Sequence, residues 1–371
     1  MTKTSAVICE FNPIHYGHKF ILSKARENVG DNGCVIAVMS GNFTQRCTPA
    51  VFDKYTRAES ALRCGADVVL ELPFPWCSSG VEDFALGGVY IASKLGAESL
   101  TFGSESGDGE FIERCADVKS SPEFVEKLRL LEKSERDSGS AVLFSRAMAE
   151  FSLDADTGAN DKLGMEYMIC GRKYGIGSYN AILRDMNCKS AKNIRETIFS
   201  GGIGSVKADI PCEVYDIFEK SEFCDEKRYN DILFMYSRML EKCGSAEMTY
   251  AKNTAEKCAS ADEFIRELPQ KKLTLARMRR EILFSLLGVE ELNKKSPPQF
   301  TVLLGANKCG REYIGSVKKK LEINVITKPA DVPCDEVSAK QYEIHCKADR
   351  LYTLCTGQRA DSFIRSRPVI I

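Results

Sequence analysis

The chain has 371 residues, 44% of them hydrophobic and 28% charged, with a formal net charge of −1. That length exceeds what one core usually fills, so two or three domains are expected, and the composition excludes a disordered chain. The balanced charge excludes a global basic field, so any polyanion must be met by a local patch.

Sixteen cysteines are scattered without a C-x-x-C pair, and the opening MTKTSAVICEF lacks the basic, apolar and small-residue order of a secretory leader. No apolar run approaches the roughly 18 residues of a membrane span. Together these features predict reduced, buried thiols in a reducing cytoplasm, with no metal cluster and no membrane association.

Residues 5–10 (SAVICE) form an apolar run that predicts a first strand, and an asparagine-proline turn leads into a helical pattern at 16–27. Between them stands Glu10-Phe11-Asn12-Pro13-Ile14-His15-Tyr16-Gly17-His18. Only three histidines occur in the chain, and two of them are here. Pro13 stops the strand, and Gly17 lets a backbone or a phosphate come close. At the start of a helix, His15 and His18 would present imidazole donors beside the free amides of the first turn, which is an anion site. Chemistry at an α-phosphate needs donors fixed where charge gathers on phosphorus and on the leaving pyrophosphate. Two other readings stand beside this one: metal ligands on one helix face, with no third ligand evident, and plain helix-start residues.

Residues 34–39 (CVIAVM), 67–72 (DVVLEL) and 98–103 (ESLTFG) continue the strands, with helix-like segments at 53–64 and 80–95 between them. Gly65 and Gly96 stand where those helices should end. Strands alternating with helices at this spacing imply βαβ units and a parallel sheet, which binds ligands at the carboxyl ends of its strands. The loop after the second strand offers Ser40, Gly41, Asn42, Gln45 and Arg46 as a substrate pocket. Asp53, Lys54 and Arg57 fall on adjacent turns of the next helix, either facing that cleft or forming a solvated charged face. After the fourth strand, Gly103 would admit an adenine ring or ribose, with Ser104 and Glu105 able to hydrogen-bond.

Residues 110–152 read as charged, amphipathic helix, 178–184 as a further strand, and 205–290 as predominantly helical. The Ser296-Pro297-Pro298 break marks a boundary. Beyond it, 299–305 and 322–327 look like strands flanking a helix at 308–320. Cations cluster at Lys271, Lys272, Arg277, Arg279 and Arg280, again at Lys318–Lys320, and at Arg365 and Arg367. Each cluster reads either as a phosphate-binding patch or as a solvated helix face.

Three motifs occur in one order: E-F-N-P-x-H-x-G-H, S-G-N-F-x-Q-R-x-x-P-A, and G-A-D-V-V-L-E-L-P before F-G-S-E. With them the chain resembles the bacterial tRNA(Met) cytidine acetate ligase family, a branch of the HxGH nucleotidyltransferases. The likeness is dense from about residue 5 to residue 105. It continues in Asn160-Asp161-Lys162-Leu163-Gly164, Ile182-Leu183-Arg184, Ser190–Arg195 and the tail pieces VLLGANKCGRE and ADRLYTL.

The resemblance implies an α/β protein with a Rossmann-like parallel-sheet nucleotidyltransferase core, a mainly helical region and a small α/β tail. The corresponding domains are 1–204, catalytic and ATP-binding; 205–296, helical and tRNA-binding; and 297–371. It also implies that acetate attacks the α-phosphate of ATP, giving acetyl-adenylate and pyrophosphate. The N4 amine of the wobble cytidine in elongator tRNA(Met) then takes the acetyl group, leaving N4-acetylcytidine and AMP. ATP contacts are implied for Val7, Ile8, Cys9, Glu10, Phe11, Asn12, Pro13, Ile14, His15, Tyr16, Gly17, His18, Lys19 and Phe20, completed by Gly103, Asn160 and Arg184. His15 and His18 would act as donors to phosphate rather than as bases, with Mg2+ carried by the ATP and no metal held by the protein. The Lys271–Arg280 cluster would meet tRNA. Nothing in the sequence sets an oligomeric state.

Two other functions share parts of this pattern. An adenylyltransferase acting on a phosphorylated small molecule in cofactor synthesis uses the same histidines but needs no large helical half. A non-catalytic RNA-binding protein would bind tRNA irrespective of ATP. The family's P-N-N-x-L-G reads Ala159-Asn160-Asp161-Lys162-Leu163-Gly164 here, and a carboxylate at Asp161 would repel ATP unless a cation intervenes or it points away. Lys192 and Asn193 likewise replace the usual small hydroxyl or alanine residues.

Overall fold

The computed structural model describes residues 2–135, 138–153, 158–185, 188–270, 273–292, 296–332 and 334–371. Its first half alternates as the hydrophobic pattern requires: β1 (Thr4–Cys9), α1 (Tyr16–Val29), β2 (Cys34–Ser40), α2 (Lys54–Arg63), β3 (Val68–Leu72), α3 (Val81–Lys94) and β4 (Ser99–Ser104). All residues of β2 and β3 are buried, as in a parallel sheet covered on both faces. Gly65 and Gly96 have φ of 114° and 79°, the positive values that let the chain turn out of α2 and α3.

The stretch expected as one helix at 110–152 is three: α4 (Gly109–Lys119), α5 (Pro122–Ser134) and α6 (Ser140–Ala149). Ser121 ends the continuity, because its hydroxyl caps Phe124 N–H and Pro122 takes the first turn of α5. Next come α7 (Ala159–Tyr174), β5 (Ser178–Leu183) and α8 (Ala191–Gly201), then α9 (Cys212–Lys220), α10 (Lys227–Met239), α11 (Ala246–Lys257), α12 (Ala261–Glu267) and α13 (Leu275–Leu287). The tail supplies β6 (Phe300–Ala306), α14 (Lys308–Val317), β7 (Asn324–Ile326), α15 (Glu336–Thr356) and β8 (Val369–Ile370).

The sheet order is β5-β4-β1-β2-β3-β6-β7, with β8 beside β6. Strands β1 to β5 are mutually parallel, and β6 runs antiparallel to β3. The tail thus extends the first sheet instead of building its own. The chain steps outward through β1, β2 and β3, then crosses back to place β4 on the other side of β1. This makes the carboxyl ends of β1 and β4 the topological switch point, where α/β sheets open a crevice.

One hydrophobic cluster fills the face carrying Ala6, Ile8, Ile36 and Leu70 and includes α3, α7 and the α10–α13 helices. The other fills the face carrying Val7, Val35, Met39 and Val69 beneath α1, α2, α8 and α9. The α10–α13 helices reach the loops after β2 and β3: Tyr229 donates its hydroxyl to Cys47 O at 2.7 Å, and the Phe74 and Phe284 rings lie 5.5 Å apart. All sixteen cysteines are free thiols, most of them buried. Among the described residues no helix is long and apolar enough to cross a membrane.

Candidate active site

A cavity of about 330 Å³ opens at the switch point between β1 and β4. His15 is the N-cap of α1, and its Nδ1 accepts the Gly17 N–H at 3.1 Å. The neutral ring therefore carries its proton on Nε2 and is held as a donor. A Cβ at position 17 would lie 2.9 Å from His15 Cε1. Gly17 is thus needed to make room for that ring, which is a nearer cause than the approach of a phosphate. The His15 and His18 rings sit 3.8 Å apart, with Phe11 edge-on to His18 at 5.2 Å.

Burial, assisted by the Arg184 guanidinium, lowers the His15 pKa to about 4. Burial, then His15 and Arg184, pushes His18 well below its ordinary value. Both imidazoles are accordingly neutral at pH 7. An anion entering beside them meets the N-terminus of α1, two neutral N–H donors and Arg184, which it would share with Glu105, while Glu10 and Asp185 also line the cavity.

Of the segment Val7–Phe20, the residues Val7, Ile8, Cys9, Glu10, Phe11, His15, Gly17, His18 and Phe20 line the cavity. Asn12 instead accepts Val51 N–H through Oδ1 at 2.8 Å, and its carbonyl accepts from Arg195 at 2.6 Å. Ile14 is in the core, Lys19 pairs with Glu213 near the surface, and Tyr16 is exposed. Pro13 follows a cis peptide bond and, like these four, is outside the lining. Gly103, Asn160 and Arg184 all reach the wall.

Asp161 does point away from the cavity's anion end. Its carboxylate accepts from Ser104 Oγ, from Glu105 N–H at 3.0 Å and from Ser106 N–H at 3.1 Å. Reciprocally, Glu105 caps α7 by accepting Asn160 N–H and Asp161 N–H at 3.0 and 3.1 Å, and it also holds Asn160 Nδ2 and Arg184. Two carboxylates therefore lock the β4 loop onto α7, each satisfied by amides. Ser104 and Glu105 are structural clamps rather than free ligand groups. Lys192 faces Glu196 on the surface at 3.7 Å.

Gly164 sits where α7 crosses Phe102, and a Cβ there would fall 2.4 Å from that ring. Gly164→Ala should lower stability by about 1–3 kcal/mol through overpacking, read as a reduced midpoint in urea. A parental midpoint would mean that α7 can slide without cost.

The loop after β2 divides. Gln45 and Arg46 line the cavity, whereas Ser40, Gly41 and Asn42 belong to a buried polar knot beneath it. Arg57, fully buried, donates to Phe52 O, Glu10 O, Ser40 O and Gly41 O. One guanidinium thereby ties together the carboxyl ends of β1 and β2. Lys54 Nζ is equally buried between Glu71 (2.9 Å) and Asp349 Oδ2 (2.6 Å), and Asn42 Nδ2 donates to Asp349 Oδ1 at 2.9 Å. Neither a cleft-facing nor a solvated face describes these cations. The third histidine, His345, lies 3.6 Å from Glu71 and 3.7 Å from Asp349. Glu71, His345 and Asp349 have metal-ligand proximity, but the Lys54 ammonium already lies between the two carboxylates.

Of the three described arginines in the basic run, Arg277 is exposed and Arg279 and Arg280 are turned inward. Lys271 and Lys272 lie outside the described residues. Arg277 pairs with Glu247, and Arg279, only 8% exposed, pairs with Glu226 and Asn230. Arg280 donates to Ser78 O at 2.8 Å and Gln45 O at 3.0 Å, so it fixes the cavity loop. Sequence reasoning missed Phe84, Phe102 and Tyr167 in the wall. The signal at hand was the Leu163–Tyr167 spacing on α7, which puts both residues on one helix face.

The family described as HIGH Nucleotidyl Transferase matches residues 2–364 of this chain. A tRNA(Met) cytidine acetate ligase of Kosmotoga olearia is 30% identical over 362 residues, covering 87% of this chain and 85% of the relative. One of Lactobacillus delbrueckii subsp. bulgaricus is 29% identical, covering 98% of each. Among solved structures, Thermotoga maritima TmcAL bound with alpha-thio ATP matches with a TM-score of 0.90 at 27% identity, over 100% of this chain and 99% of that one.

Proposed function

Because this chain belongs to the HIGH nucleotidyl transferase family and, within it, to the tRNA(Met) cytidine acetate ligases, we propose that it activates acetate with ATP and acetylates a tRNA cytidine. The observation that carries this reading is the paired neutral histidines at the N-terminus of α1, facing Arg184 across the switch-point cavity.

In the first step an acetate oxygen attacks the α-phosphorus, and the bond to the β-phosphate oxygen breaks. Charge accumulates on the equatorial oxygens and on pyrophosphate, where His15 Nε2–H, His18 and Arg184 donate. Magnesium would enter with ATP as part of the substrate and neutralise its phosphate charge. In the second step the cytidine N4 attacks the acetyl carbon, the bond to AMP breaks, and the amine loses one proton. The site of this chemistry would be cytoplasmic, beside elongator tRNA(Met).

With Arg279 and Arg280 engaged inside the protein, the second lysine cluster is a further candidate for RNA contact. Lys318, Lys319 and Lys320 form an exposed turn just before β7. Glu322, just after this turn, pairs with Lys94 at the end of α3, so these lysines stand toward the start of β4 and would meet RNA backbone remote from the acceptor base. Replacing all three lysines with alanine should weaken binding of tRNA and flatten its salt dependence by roughly 2–3 in log–log slope, with ATP affinity kept. An unaltered salt series would place the RNA elsewhere.

The reaction is tested by incubating tRNA(Met) transcript with protein, ATP, magnesium and carbon-labelled acetate, then analysing nucleosides by mass spectrometry. Labelled N4-acetylcytidine that depends on ATP supports the proposal. Pyrophosphate without labelled nucleoside would retain the activation and reject the acceptor.

A further inference from the structure

Buried polar groups in folded proteins nearly always find a partner, so those that do not mark a place where something else completes them. Three residues that line this one cavity each carry a buried polar atom without a partner just behind its surface: His18 Nδ1, Gln45 Nε2 and the Tyr167 hydroxyl. The phosphate chemistry accounts for the histidine. It does not account for the other two.

Tyr167 is 2% exposed, and its ring packs edge-on at 5.7 Å against Phe102. Its ionisation is pushed well up by burial, and further by the neighbouring Cys9 and Glu10. Glu10 also lines the cavity and accepts Gln45 N–H at 2.7 Å through Oε1. Its second oxygen accepts no hydrogen bond among the described residues. Arg280 holds the Gln45 carbonyl from the far side. Around the end of β1, then, stand one acceptor and two unpartnered donors, beside the apolar side chains of Phe84, Phe102 and Leu163.

We infer that Glu10, Gln45 and Tyr167 form the recognition edge for the acceptor cytosine, the carboxylate accepting from the exocyclic amine and the two donors meeting N3 and O2. This rests on the acetyl-transfer reading above and adds the groups that choose the base. Cytosine presents donor, acceptor and acceptor along its Watson–Crick edge, the complement of the three protein groups. Uracil would set O4 against the Glu10 carboxylate. Adenine offers a donor and one acceptor, leaving one buried donor unmet. Acetate, an anion, is disfavoured beside Glu10 and belongs with the histidines and Arg184. A base taken out of its stack and read on this edge is how enzymes acting on nucleobases gain selectivity. Glu10 is then a positioning group for the amine.

The test uses two RNA hairpins that differ only in cytosine or uracil at the acceptor position, competed for the full-length protein in the presence of ATP. The parent should prefer cytosine by roughly tenfold, and Glu10→Gln should bring the two within about twofold. Tyr167→Phe should slow acetyl transfer at least roughly tenfold more than it slows acetate-dependent ATP–pyrophosphate exchange. No preference in the parent, or an undiminished preference in Glu10→Gln, would overturn the edge. So would equal loss of exchange and transfer in Tyr167→Phe, which would assign the hydroxyl to ATP. A cytosine preference without any acetyl transfer would instead reject the proposed reaction and keep the edge.

Discussion

His18→Ala should slow acetate-dependent pyrophosphate release by about 10²–10³-fold, the usual loss on removing one pre-set donor to a developing oxyanion. The ring has the Phe11 edge at 5.2 Å, and its buried Nδ1 makes no hydrogen bond, so the protein asks no other polar work of it. The parental denaturation midpoint should be nearly retained. His15→Ala should differ, because that ring also caps α1, and about 1 kcal/mol of stability should be lost with activity. His15→Asn would restore the cap but not the reach of the Nε2 donor.

The same pair sets a pH signature. In the free protein His15 has a pKa of about 4, and His18 is also well below its ordinary value. Polyphosphate favours the charged imidazolium and raises both values in the complex. Protons are therefore taken up on binding wherever the pH lies between the free and bound values. ATP affinity should rise as pH falls from neutral towards about 4. Calorimetry near pH 6 in buffers of different ionisation enthalpy would read that uptake. An uptake as large in the His15→Ala, His18→Ala double variant would show that it comes from the nucleotide alone.

The largest effect on stability should come from Lys54→Met. The ammonium is 2% exposed between two buried carboxylates. Burial opposes its charge, but Asp349 and Glu71 outweigh burial and raise its pKa. Removing it leaves both carboxylates uncompensated, a loss of about 3–5 kcal/mol, to be measured by urea denaturation. Glu71 packs so closely on Gly41 that a Cβ there would lie 2.3 Å from its Oε1. Adding Asp349→Asn should recover part of the loss. A drop below about 1 kcal/mol would mean that His345, 3.6 Å from Glu71 and held neutral chiefly by burial, takes a proton in its place.

How far the sequence could be read follows from which forces are local. Strands β2 and β3 were legible because a strand buried on both faces tends to a near-continuous apolar run, while β1 and β4 were legible from the short apolar or alternating stretches between helix patterns and turns. The histidine motif was legible because strand end, turn and helix cap all fall within nine consecutive residues. Helix α15 was not read, although it runs for 21 residues. Ser338, Gln341, His345, Asp349 and Thr353 recur at helical spacing and are all buried, so a polar stripe runs inward beside the apolar one of Ile344, Ala348, Leu351 and Cys355 and blurs the amphipathic pattern. Lys54 and Arg57 looked like surface or cleft residues because their partners are remote in sequence or are backbone carbonyls. The Glu105–Asp161 exchange is invisible for the same reason, since each carboxylate answers amides more than fifty positions away.

The link from Asn42 and Lys54 to Asp349 also has a meaning in time. Asn42 and Asp349 are 307 positions apart. At ordinary rates of translation the second would leave the ribosome roughly 15–60 s after the first. For most of that interval a nascent chain already has the histidine motif and β1 to β4, yet Lys54 and Glu71 await their third partner until its end, and the loop bearing Gln45 awaits Arg280 for the greater part of it. A partly made polypeptide thus carries the signature residues without the scaffold that aims them. Nucleotide handling should switch on only near the end of synthesis, when α15 docks.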